Sequence, residues 1–91
     1  MQSDTLMRRR PDIITADLNE EIVMMDIQSG KYFNLKETAA EIWLLLESPL
    51  TLHDLVERLV IQYEVSYEQC EKDIMPFLQT MLTNRLILVS E

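Results

Sequence analysis

The chain has 91 residues, of which 47% are hydrophobic, so it is long enough to form one domain around a single core. Its formal net charge of −8 is unevenly distributed: residues 12–91 carry 15 acidic and 5 basic side chains, whereas residues 1–11 carry a net +2. A surface this acidic repels nucleic-acid phosphates and attracts cationic partners. The longest apolar run is far shorter than the roughly 18 residues of a membrane span. Composition therefore favours a cytoplasmic protein with no nucleic-acid or membrane partner.

The first ten residues are predicted to form a flexible tail. Arg8, Arg9 and Arg10 are followed by no apolar stretch, so the segment does not have the pattern of a secretory signal. A short basic run near a chain terminus is typical of a mobile segment. Residues 11–91 contain no repeat or linker and are predicted to form one domain.

Short β-branched and apolar runs between residues 12 and 35 predict three antiparallel strands. The dipeptide Ser29-Gly30 lies between the second and third runs, and glycine readily adopts the positive φ that tight turns require. These strands are expected to form a meander. Their predicted positions are residues 13–15, 22–27 and 31–35.

From residue 36 onwards the apolar residues recur with a helical period and predict three amphipathic helices. Thr51 is expected to cap the second helix, with Asp54 in its first turn, and Ser66 with Gln69 is expected to start the third. Pro76 lies inside the third helix, where it removes one backbone hydrogen bond and is expected to cause a kink. The predicted helices are residues 38–47, 52–63 and 67–84.

The predicted fold is α+β and winged-helix-like, with element order β-β-β-α-α-α. Three helices would cover one face of a single three-stranded sheet, and two of them resemble a helix-turn-helix. A further short strand is predicted at Leu86–Val89. The third strand, Lys31–Leu35, leads directly into the first helix. An exposed sheet edge offers unpaired backbone N–H and C=O groups, so this edge is the expected functional feature.

No residue pattern in the sequence predicts catalysis, a metal or a cofactor. His53 is the only histidine, and its neighbour Asp54 does not face it on a helix, so it is expected to be structural or exposed. Cys70 lies on an apolar helical stripe and is expected to be a small buried hydrophobic residue. The adjacent Glu20 and Glu21 are expected to be solvated. The single glycine excludes a phosphate-binding loop.

Three segments resemble PqqD and its relatives, the precursor-recognition domains of ribosomally made, post-translationally modified peptides. The most specific is Gly30-Lys-Tyr-Phe-Asn-Leu-Lys-Glu-Thr-Ala-Ala-Glu-Ile-Trp43. The other two are Leu52-His-Asp-Leu-Val-Glu-Arg-Leu59 and Cys70-Glu-Lys-Asp-Ile-Met-Pro-Phe-Leu78, which are more generic amphipathic helices. The resemblance extends over residues 11–88.

The resemblance implies a non-catalytic protein that binds the leader region of a precursor peptide and presents it to a maturation enzyme. In this family the leader adds as a strand to the edge of the third strand and packs against the third helix. The partner would be a leader peptidase with a cyclase in a lasso-peptide pathway, or a radical SAM enzyme in pyrroloquinoline quinone biosynthesis; the lasso type is favoured. The implied peptide-binding residues are Lys31, Tyr32, Phe33, Asn34, Leu35, Asp73, Ile74, Phe77 and Met81.

Two other functions are weighed against peptide binding. A winged-helix DNA-binding module would require a basic recognition helix, but the third helix contains Glu68, Glu71 and Asp73 and, before its end, only one basic residue, Lys72. A small acyl carrier would require a serine at a helix start in an Asp-Ser-Leu context, which the sequence lacks. Peptide binding is therefore preferred. The acidic net charge further predicts a leader with lysines or arginines.

Overall fold

The computed structural model describes residues 1–90, which form six strands and three helices. None of the described helices is long and apolar enough to cross a membrane. The elements are, in chain order, β1 (Leu6–Arg9), β2 (Ile13–Asp17), β3 (Glu21–Asp26), β4 (Tyr32–Lys36), α1 (Thr38–Leu45), β5 (Leu50–Thr51), α2 (Leu52–Tyr63), α3 (Tyr67–Thr83) and β6 (Ile87–Ser90).

The predicted meander is confirmed as the antiparallel sheet β2-β3-β4. Its second turn follows the expected chemistry, since Gly30 has φ 74° and donates its N–H to the carbonyl of Asp26 at 2.7 Å. The expectation of a single sheet is wrong, because a second antiparallel sheet has the order β5-β1-β6. The short C-terminal strand predicted at Leu86–Val89 is present as β6, and it belongs to this second sheet.

The segment interpreted as a flexible tail contributes the central strand of the second sheet. Met7 is completely buried, and β1 pairs with β5 on one side and β6 on the other. Arg9 lies over the ring of Trp43, with its guanidinium carbon 4.6 Å from the ring centroid, and it donates two hydrogen bonds to the Trp43 carbonyl. This strand could not be predicted, because one inward-facing residue, Met7, among four positions gives no recognisable alternation of apolar and polar residues.

The helix boundaries follow the predicted caps. The N–H of Asp54 donates to Thr51 Oγ1 and the N–H of Gln69 donates to Ser66 Oγ, each at 3.1 Å. Each bond satisfies one of the free N–H groups of a helix N-terminus. Pro76 lies within α3, as predicted.

Trp43 connects the two sheets to the helices. Its side chain is 1% exposed, and its Nε1–H donates to Thr15 Oγ1 of β2 at 3.1 Å. The turn from β4 into α1 takes place at Glu37, whose φ of 56° lies in the left-handed region. This sharp turn brings the start of α1 next to the end of β4, where the candidate site is found.

Candidate functional site

The strand β4 is an edge strand, because it pairs only with β3. The N–H of Asp26 donates to the carbonyl of Lys31, so this residue pair is a hydrogen-bonded one. Hydrogen-bonded and non-hydrogen-bonded pairs alternate along an antiparallel ladder. The backbone groups of Phe33 and Leu35 therefore point towards β3. Those of the alternate residues point outwards, to the open edge; these residues are Tyr32, Asn34 and Lys36.

The start of β4 lies near the end of α3, and the turn after β4 lies near the start of α3, with a cavity at each of these two places. One cavity, of about 290 Å³, is lined by Lys31 before β4 and by residues 83–85 at the end of α3. The other, of about 230 Å³, is lined by Thr38 after β4 and by Cys70, Asp73 and Ile74 near the start of α3. We call the surface between these two elements, from one cavity to the other, the β4–α3 groove.

The uncharged members of the implied binding set fall into three groups according to their exposure. Tyr32 is 71% exposed, and Asn34 is exposed, with its side-chain amide donating to Glu21 Oε2 at 3.3 Å. Phe33 of β4 and Phe77 of α3 are half-buried and pack against the core. The remaining apolar members, Leu35, Ile74 and Met81, are buried. These three residues belong to the hydrophobic core, and the two phenylalanines are the apolar members of the set that remain partly accessible.

The charged members lie at opposite ends of the groove. Lys31 is exposed at one end. Asp73 is exposed at the other, where it accepts a hydrogen bond from Gln69 Nε2 at 2.7 Å. The groove is therefore not electrostatically symmetrical along its length.

Several residues that line the two cavities were absent from the sequence-based set. Leu59, Tyr63 and Val65 surround the Thr38 end, where the end of α2 meets the start of α3. Their apolar character was visible in the sequence, but their position depends on how the helices pack. Arg10 and Arg85 line the Lys31 end. Arg10 was missed because it was assigned to a tail.

The two residues with the most reactive side chains lie in different surroundings. His53 is exposed, with Nδ1 3.1 Å from the hydroxyl of Tyr67 and Nε2 3.6 Å from Glu57 Oε1. No serine or cysteine nucleophile is among these contacts. Burial raises the pKa of the Cys70 thiol, which favours the unreactive protonated form. Within residues 1–90 no group of acidic, histidine or cysteine side chains is arranged to hold a metal ion.

The chain is similar to a known protein family and to two solved structures. The family model described as coenzyme PQQ synthesis protein D (PqqD) matches residues 21–87. A solved structure described as TbiB1 in complex with the TbiA(beta) leader peptide has a TM-score of 0.82 and 26% identity, over 88% of this chain and 93% of that one. A structure described as lasso peptide synthetase B1 complexed with the leader peptide has a TM-score of 0.74 and 32% identity, over 90% of this chain and 96% of that one. The comparison with curated proteins gives no match.

Proposed function

The chain belongs to the PqqD family, and from that premise we propose that it is a non-catalytic protein that binds the leader region of a precursor peptide. Two similar structures are both complexes with leader peptides, and one of those proteins is a lasso peptide synthetase B1. We place the leader in the β4–α3 groove as an added strand on β4. The bound precursor is then presented to a maturation enzyme, for which a leader peptidase of a lasso-peptide pathway is the preferred candidate.

The observation that carries this proposal is the open edge of β4 beside α3. Each outward-facing residue offers one N–H donor and one C=O acceptor, so an extended peptide satisfies its own backbone groups as it binds. Each such bond contributes roughly 0.5–1.5 kcal/mol net. Phe33 and Phe77 add apolar area that the peptide's side chains cover. Affinity therefore arises from the backbone, and selectivity from the side chains that face α3.

A proline at Asn34 tests the strand addition. The N–H of Asn34 points to the open edge, so Asn34→Pro removes a donor for the peptide without removing a bond of the β3–β4 ladder. We expect this variant to fold and to bind a fluorescein-labelled leader peptide at least about tenfold more weakly, because the proline ring also obstructs the incoming strand. Fluorescence polarisation measures the affinity, and circular dichroism with thermal melting measures the fold.

Two variants serve as controls. Asn34→Ala loses the same side-chain hydrogen bond to Glu21 but keeps the N–H, so it should bind the leader almost normally. Phe33→Pro removes an N–H that points towards β3, and it should unfold the sheet. Tyr32→Pro repeats the test at a second outward-facing position. A folded Asn34→Pro protein with unchanged leader affinity would show that the peptide binds elsewhere.

A further inference from the structure

The cavity at the Lys31 end of the groove concentrates the few basic side chains of an acidic protein. Three of the eight lysines and arginines line it, namely Arg10, Lys31 and Arg85, against one of the sixteen acidic residues, Asp26. The other lining residues are neutral and polar. The local charge at this end is therefore opposite to the net charge of the chain.

One of the three cations is already neutralised. Arg10 contacts Asp26 at 2.6 Å, with both side chains about nine-tenths buried, and its Nε donates to the carbonyl of Arg85. Asp26 also accepts a hydrogen bond from the N–H of Gln28 at 2.9 Å, so its charge is engaged within the protein. Lys31 and Arg85 are exposed, and no ion pair engages either side chain among the described residues. Two cationic charges thus face the cavity without a counter-charge.

The C-terminal end of α3 only weakly reduces the attraction of these two cations for an anion. A helix C-terminus carries roughly half a negative charge, which repels anions. Its last carbonyls already accept hydrogen bonds, since the N–H groups of Asn84, Arg85 and Leu86 donate to residues 80, 82 and 81. Two full positive charges outweigh a partly satisfied half charge, so the cavity attracts anions.

We propose, on the premise that a peptide adds to β4, that this cavity selects an aspartate or glutamate side chain of the bound leader. Lys31 is placed by strand alternation on the same face as Phe33 and Leu35, which pack against the core, and it lines the cavity together with residues 83–85 at the end of α3. The acidic residue is therefore the one opposite Lys31, two positions from the peptide residue that lies over Phe33. The net charge of the protein predicts a basic leader, and at this position the local charge reverses that preference. The acidic residue also fixes the register of the added strand.

Selection from a random library of 12-residue peptides displayed on phage tests this assignment. The library is screened against the wild-type chain, against the double variant Lys31→Glu/Arg85→Glu and against Arg8→Glu/Arg58→Glu. The last pair makes the same change in net charge at exposed side chains that line neither groove cavity. We expect Asp or Glu to be enriched at one position two residues from an apolar one, with both the wild type and the control. The Lys31→Glu/Arg85→Glu protein should enrich Lys or Arg there instead.

A synthetic peptide of the enriched sequence gives the quantitative test. Replacing its acidic residue by glutamine should weaken binding to the wild type by about tenfold and leave binding to Lys31→Glu/Arg85→Glu unweakened. Circular dichroism confirms that each variant is folded, and the single variant Lys31→Glu repeats the test with a smaller change. If peptides are enriched and Asn34→Pro blocks them, but no acidic position emerges, the anion subsite is wrong and strand addition stands. If Asn34→Pro leaves the binding of the enriched peptides unchanged, they bind elsewhere, and strand addition to β4 is refuted together with the subsite. If no peptide is enriched, the result contradicts peptide binding itself.

Discussion

Replacing Met7 by alanine is expected to destabilise the protein strongly, although the residue lies in a segment that has the composition of a tail. Met7 is completely buried in the central strand of the β5-β1-β6 sheet, and truncating a buried methionine to alanine costs about 2–5 kcal/mol. A chain of this length has a total stability of roughly 5–14 kcal/mol. The melting temperature should fall by at least about 8 °C.

Leu6→Ala is the matched control, because Leu6 is the adjacent residue of the same strand and remains 38% exposed. Leu6→Ala should lower the free energy of unfolding by less than about 1.5 kcal/mol, since Leu6 buries less apolar area than Met7. Urea denaturation followed by the fluorescence of Trp43, the only tryptophan, gives both values at a common m-value. Equal and small decreases in the free energy of unfolding for Leu6→Ala and Met7→Ala would refute the packing of β1 described above.

Three further predictions concern single groups. Thr51→Ala removes the acceptor for the N–H of Asp54 and should cost about 1 kcal/mol in urea denaturation, with leader affinity unchanged. The hydrogen bond from Arg10 lowers the pKa of Asp26 in the folded protein. The ionised carboxylate therefore contributes fully to stability above the ordinary aspartate pKa, and this contribution is lost as the pH falls from about 5 through the lowered pKa. Asp26→Asn should show less acid destabilisation than the wild type across that range in thermal melts. Cys70 is buried and its pKa is raised, so iodoacetamide should alkylate it at least about 100-fold more slowly in the folded protein than in urea, as measured by intact mass.

Local signals in the sequence were sufficient for the meander, the three helices and their caps. The Ser29-Gly30 turn and the hydroxyl caps depend on contacts between residues close together in the sequence, so they can be predicted from short segments alone. The family resemblance named the strand and the helix that carry Phe33 and Phe77, and the role of these two residues in peptide binding stays a prediction. The sequence did not show which of the implied residues are buried in the core.

The second sheet and the cationic cavity could not be predicted, because both depend on contacts between distant residues. β1 is recognisable only when β5 and β6 lie beside it, since four residues with one buried side chain have no diagnostic period. Arg10 and Arg85 are 75 positions apart, yet they line one cavity. The net charge is a sum over the whole acidic chain, so it does not reveal this local cluster of basic residues.

The pairing of β1 with β6 has a consequence for how the chain folds during synthesis. Leu6 lies opposite Ser90 in the ladder, 84 positions later in the chain. At a synthesis rate of about 5–20 residues per second, β1 waits roughly 4–17 seconds for this partner, far longer than a hairpin needs to form. The three strands of the meander β2-β3-β4 are all synthesised within the first 36 residues, before any residue of α3. A nascent chain therefore contains its groove strand before it contains the helix that lies at both ends of that strand.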